Sequence, residues 1–290
     1  MKKWFYFLGL WFMADVLTLT ACSDNNEPKA PDMPNLGILA PVSSIANSET
    51  VSIFHYNDKG LMTDGTDMYA DKFTINYAPF KVKVRKEAIK WKKVTEMSDI
   101  VTDGNGFITS ANLNYKEEWN SNGYDESRDE TGTLTCQYSS NGELINMVYT
   151  MSDYEIIFES TCTLRWKDGN IYNIRHFYRS KEANKGWSNG YSKTVTFEYD
   201  EAAEENSGIY ISQMSDLNMD FLFYAGRFGK TSKLIPTLMT SKDENGNEER
   251  KVIKVEKDNK GRITVIDDNH SYYYVYAYDG ERAEYPQWHY

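Results

Sequence analysis

Short β-branched and aromatic runs, separated by polar turns that close on glycine, recur along most of this chain. The clearest is Lys251–Ile266, KVIKVEKDNKGRITVI. Val252, Ile253 and Val255, then Ile263, Val265 and Ile266, favour an extended, pleated backbone. Asp258, Asn259 and Lys260 suit a type I turn, and Gly261 closes it at positive φ without a Cβ clash. The same grammar appears at FHYNDKGLM (Phe54–Met62), VTDGNGFIT (Val101–Thr109), CQYSSNGELI (Cys136–Ile145) and LRWKDGNIYNI (Leu164–Ile174). Gly60, Gly106, Gly142 and Gly169 close or nearly close those turns, at unequal spacing. A solenoid or propeller needs a unit of constant length. The pattern therefore predicts an all-β fold, a single irregular antiparallel meander.

Further strands are predicted at Val51–Tyr56, Phe73–Tyr77, Lys81–Arg85, Val94–Val101, Phe107–Tyr115, Thr133–Tyr138, Glu143–Met151, Ile156–Trp166 and Ile171–Tyr178. Thr194–Asp200 alternates cleanly, with Val195, Phe197 and Tyr199 on one face. EWNSNGYDESRDETG (Glu118–Gly132) has little hydrophobicity and predicts a long, exposed, mobile loop. Glu204–Gly208 predicts a further exposed turn. Ser215–Met239 breaks the pattern, because Leu217, Phe221 and Tyr224 fall near helical spacing. Ser215 or Asp216 can cap a short helix near 216–226, and Gly226 or Gly229 can stop it. Its expected place is over an open sheet edge or a barrel mouth.

The amino terminus follows another logic. Lys2 and Lys3 precede a mostly apolar run, Trp4–Leu19, which ends at small residues before a cysteine. This predicts a secretory signal over residues 1–21. LTAC (Leu19–Cys22) resembles the lipobox of bacterial lipoproteins. The resemblance implies that Cys22 becomes the first mature residue and carries the lipid anchor. Residues 22–46 hold four of the seven prolines and few aromatics, so they predict a flexible tether. Residues 47–290 are then the β-domain. The run SDNNE after Cys22 resembles the surface-export signal of Bacteroidota lipoproteins; the plainer alternative is the start of a solvated linker.

Removing residues 1–21 moves the formal net charge from −11 to −12. So acidic a chain excludes the basic surface that nucleic-acid binding needs. Cys136 and Cys162 remain after Cys22. If each lies in its predicted strand, the two strands are next-but-one neighbours, about 10 Å apart and beyond disulfide range. Both are expected as buried thiols.

A second resemblance covers the C-terminal half. FYAGRFGKTSKLIPTLM, followed by KVIKVEKDNKGRITVI and YYYVYAYDG, resembles an uncharacterised family of Bacteroides lipoproteins with a porin-like, partly closed β-barrel fold. It is clearest over 200–280 and extends from Phe54 on. It implies an open or partly closed barrel in the envelope, and it brings no activity and no catalytic residues.

Candidate chemistry is sparse. His55, His176, His270 and His289 are scattered, without metal-ligand spacing, a nucleophile elbow or a phosphate loop. No enzyme, metal or cofactor is expected. Phe80–Lys93 carries seven basic residues and one acid. It reads either as a patch for an anionic glycan or lipid headgroups, or as a solvated strand face. In YYYVYAY, Tyr272, Tyr274, Tyr276 and Tyr278 share one strand face. They are the candidate ligand-binding residues, through stacking on sugar rings. The alternative is a barrel interior where tyrosines pack.

The leading expectation is a lipid-anchored cell-envelope protein, surface-exposed on the outer membrane, that binds a glycan or other nutrient. The alternatives are an accessory subunit of an outer-membrane complex, or a carrier of an apolar ligand in a half-open barrel. An exposed aromatic platform favours the first, a flat exposed patch the second and a wide apolar cavity the third. The expected partners are the membrane, through the lipid, and a glycan or an outer-membrane protein complex.

Overall fold

The computed structural model describes residues 41–47, 50–88, 90–121, 124–153, 155–182, 185–210, 219–267 and 273–286. Five shorter strands come first: β1 (Val42–Ala46), β2 (Val51–Tyr56), β3 (Met62–Thr66), β4 (Lys72–Tyr77) and β5 (Phe80–Ala88). Six long ones follow: β6 (Trp91–Thr102), β7 (Ile108–Ser121), β8 (Tyr124–Tyr138), β9 (Leu144–Asp153), β10 (Ile156–Lys167) and β11 (Asn170–Glu182). Next are β12 (Tyr191–Glu198), helix α1 (Phe221–Tyr224), β13 (Leu238–Asp243) and β14 (Glu248–Val252). The last are β15 (Lys254–Lys257), β16 (Ile263–Asp267) and β17 (Tyr273–Tyr278).

The strands form one 17-stranded antiparallel sheet in which sequence neighbours pair. β14 and β15 are two halves of one bent strand. β14 pairs with β13 and β15 with β16, and the Ile253 N–H between them donates to Thr237 O. β1 pairs with both β17 and β2, which brings the two ends of the meander together. The result is a nearly closed barrel. Gly60, Gly106, Gly142, Gly169 and Gly261 all have positive φ, as the turn grammar predicts.

Two expectations need correction. Composition puts Val42–Ala46 in the tether, yet it is the strand that joins the barrel ends. Its backbone is satisfied on both edges, and Tyr56 Oη donates to Val42 O at 2.8 Å. The predicted loop Glu118–Gly132 is instead the tip of a long hairpin, β7–β8. Cross-strand charge pairing replaces apolar alternation there. Lys116 faces Asp129 and Glu117 faces Arg128, and opposite charges on directly opposed residues stabilise a strand pair.

Alternation sorts the residues by face. Phe73, Ile75 and Tyr77, Val82 and Val84, Leu113, Leu134, Leu164, Ile174, Val195 and Phe197 point inward and are buried. Lys72, Thr74 and Asn76, Lys81 and Arg85, Thr135 and Gln137, Thr163 and Arg165 point outward and are exposed. A barrel that spans a membrane has the opposite arrangement, with an apolar outer band and a polar lumen.

The chain direction places the turns between β2 and β3, β6 and β7, β8 and β9, β10 and β11, and β15 and β16 at one end of the barrel. The connection between β12 and β13 caps that end. Its backbone takes up the turns one by one: Ile108 N donates to Arg227 O, Lys230 N to Gly142 O and Lys233 N to Gly169 O, each at 2.9–3.0 Å. α1 lies within the expected 216–226, and Gly226 ends it at φ 68°. The expected cap residues, Ser215 and Asp216, lie outside the described residues. α1 does not cover an edge. Phe221, Leu222 and Phe223 are buried inside the barrel, and Phe221 stacks on Phe73 with centroids 3.9 Å apart. β1 begins at this same capped end.

Candidate functional site

The predicted tyrosine face is described for three of its four members; Tyr272, like Cys22, lies outside the described residues. Tyr274, Tyr276 and Tyr278 point into the barrel and are 8%, 6% and 2% exposed. Tyr278 Oη donates to Ile263 O at 2.7 Å, and Arg262 lies over its ring at 4.5 Å. Burial pushes the Tyr276 hydroxyl far above its ordinary pKa. These three rings are core, and they offer no surface for stacking on a sugar.

The basic strand is β5. Lys81 and Arg85 are exposed on its outer face, as predicted, opposite buried Val82 and Val84. Acids sit beside them: Lys81 meets Glu96 at 3.7 Å and Arg85 meets Glu87 at 3.5 Å. On the same strand Lys86 meets Asp71 at 3.3 Å.

A recess on the outer face of the long strands is the candidate ligand site. Sheet register aligns two rows across them. One row is Asn112, Thr133, Thr150, Glu159 and Arg179; the other is Asn114, Thr131, Ser152, Ile157 and Lys181. Each is the outward member of an alternating strand whose inward members, such as Leu113 and Leu134, are core. Their members on β7–β10, with Ser98 and Asp99 on β6 and with Trp187, line a groove of about 630 Å³.

Both ends of the groove are built by departures from regular strand. At one end β6 bulges between Ser98 and Val101, which turns Asp99 outward at φ 49°. Asn112 Nδ2 donates to Asp99 Oδ2 at 2.9 Å and fixes that carboxylate. At the other end the chain after β11 folds back, and Trp187 bridges to Lys181. Trp187 is 39% exposed, with the Arg179 guanidinium over its ring at 4.3 Å. Arg179 is itself held by Glu159 at 2.6 Å. In the middle, the Thr133 and Thr150 hydroxyls share a 2.8 Å hydrogen bond. The floor is thus amide and hydroxyl across β7–β9 and Ile157 and Glu159 on β10, with an aromatic plane at one end and a carboxylate at the other.

Two grooves at the capped end, about 520 and 560 Å³, flank Lys230–Lys233. Several of their polar groups hold the cap. Ser232 Oγ accepts from Ile171 N, Asn170 Oδ1 from Leu234 N and Ser207 Oγ from Ile263 N. Sequence reasoning passed over the outer groove. ITSANLNY and TGTLTCQY show the outward amides and hydroxyls, but not which strand lies beside which.

No protein-family model matches the chain, and no curated protein matches it. Among solved structures it is similar to a porin-like protein from Bacteroides vulgatus ATCC 8482, with 12% identity and a TM-score of 0.49 over 82% of this chain and 99% of that one. It is also similar to a porin-like protein from Bacteroides uniformis ATCC 8492, with 14% identity and a TM-score of 0.47 over 82% of this chain and 98% of that one.

Proposed function

We propose that this is a cell-envelope binding protein, tethered through a lipid on Cys22, that holds a polyhydroxylated ligand, a glycan, in the groove across β6–β11. The observation that carries the reading is the pair of cross-strand rows, Asn, Thr and Ser on β7–β9 and then Glu159 and Ile157 on β10, that lead to the exposed indole of Trp187. Amides and hydroxyls both donate and accept, which suits sugar hydroxyls. An exposed aromatic plane suits the apolar face of a sugar ring.

The polar outer face supports a barrel that stands outside the hydrocarbon, on its tether, and does not span it. The side chains packed inside the barrel, Phe221 on Phe73 among them, weigh against an apolar carrier. Binding without hydrolysis is favoured by the layout of the acids. Asp99 and Glu159 sit four strand spacings apart, about 19 Å. Glycosidase carboxylates lie about 5–9.5 Å apart.

Affinity electrophoresis of the soluble domain in neutral polysaccharides tests the binding. Retardation that Trp187→Ala abolishes is the expected result. If no polysaccharide retards the domain, or if Trp187→Ala is retarded as strongly, the reading is wrong. For the anchor, Cys22→Ala should block lipid labelling. Proteinase added to whole cells should digest the wild type, and digest less of it once Asp24 and Glu27 in SDNNE are alanine. A wild type that resists digestion would place the domain on an inner face.

A further inference from the structure

We infer that the groove takes a linear, uncharged oligosaccharide lying across the strands, with one end on the Trp187 indole and the other on the Asp99 carboxylate. This rests on the glycan reading above and specifies its shape, direction and charge.

Direction follows from the register. The polar rows run perpendicular to the strands, so successive hydrogen-bonding positions are one strand spacing apart. From Asp99 on β6 to Arg179 on β11, whose guanidinium lies over the Trp187 indole, is five spacings, about 24 Å along the sheet. A compact ligand reaches only part of that distance; an extended one meets the amides and hydroxyls of β7, β8 and β9 in turn and passes Ile157 and Glu159 on β10 before the indole.

Charge follows from the ends. Glu159 and Arg179 neutralise each other at 2.6 Å. That leaves Asp99 as the acid facing the groove, in a chain of net charge −11. An anionic chain would be repelled there. Its Oδ2 accepts from Asn112 and, at 3.4 Å, from the Ser98 hydroxyl, while its Oδ1 has no hydrogen-bond partner among the described residues. That oxygen is placed to accept from a sugar hydroxyl, a charge-assisted bond stronger than a neutral one. Asp99 also holds a left-handed conformation that costs a non-glycine residue stability.

Calorimetry of the soluble domain with a neutral series, disaccharide to octasaccharide, of a polysaccharide that retards it tests this. Affinity should rise with chain length. For the octasaccharide, Trp187→Ala and Asp99→Asn should each weaken binding about tenfold, the worth of one charge-assisted hydrogen bond or one stacked ring. For the disaccharide, only one of the two should matter, since it cannot span both ends. If the disaccharide binds as tightly as the octasaccharide, or if Asp99→Asn leaves all lengths unchanged, the cross-strand arrangement is overturned while glycan binding stands. If a carboxylated oligosaccharide of equal length binds more tightly, the uncharged assignment fails.

Discussion

Cys136 and Cys162 face each other across Met147: each is the register partner of that one residue, from the strand on either side. Two strand spacings therefore separate them, about 10 Å, beyond the reach of a disulfide. Both are buried thiols. Burial pushes the Cys136 thiol up to about 12, so no thiolate is available at neutral pH. The folded domain, prepared without Cys22, should not react with a thiol reagent at pH 7. Unfolding it without reductant should release both thiols. Finding none in the unfolded chain would overturn the β8–β9–β10 register.

Two glycines should fail for different physical reasons. Gly261 has open space around it but a φ of 77°, so Gly261→Val should cost about 1–3 kcal/mol through backbone strain. Lys260→Ala beside it should cost far less. A Cβ on Gly132 would sit 2.0 Å from Thr150 O, inside the β8–β9 pairing. Gly132→Ala should therefore cost at least about 2 kcal/mol by forcing two strands apart. Urea unfolding of the three variants checks both claims; equal midpoints would refute them.

Asp67 is 4% exposed in the turn between β3 and β4. Desolvation raises its carboxyl to about 6, against backbone N–H donors from Asp71 and Tyr69 that pull it down. An unfolded aspartate titrates near about 3.9. The folded state thus holds its proton more tightly, and stability from this group falls as pH rises from about 4 to 6. The loss is roughly 2–3 kcal/mol. Asp67→Asn cannot ionise, so it should gain that much on the wild type between pH 4 and pH 7.5. Parallel stability profiles for the two proteins would disprove the shift.

Asp99→Gly should stabilise the domain by about 1 kcal/mol, because glycine adopts φ 49° without penalty. The same change removes the groove's carboxylate and should weaken glycan binding. A rise in melting temperature together with a fall in affinity is the expected pair of results. A loss of stability would mean that the Asn112–Asp99 hydrogen bond outweighs the strain.

Local chemistry carried much of this fold. Turn glycines at 60, 106, 142, 169 and 261 marked the hairpins, because only a residue without Cβ takes those dihedrals freely. Alternation in strands such as Phe73–Tyr77 and Thr194–Asp200 marked the inward faces, because successive side chains of a strand point to opposite sides. The next-but-one placement of Cys136 and Cys162 followed from counting turns. What the tertiary structure decided was everything that depends on neighbours distant in sequence. Val42–Ala46 has no strand signature, and pairing with β17 and β2 makes it one. Glu118–Gly132 reads as loop until Lys116 and Glu117 meet Asp129 and Arg128. Tyr274, Tyr276 and Tyr278 share a face in either reading, and only closure of the barrel puts that face inside. The groove is the extreme case. Its lining comes from five strands, β6 to β10, and a single strand's alternation cannot say what stands beside it.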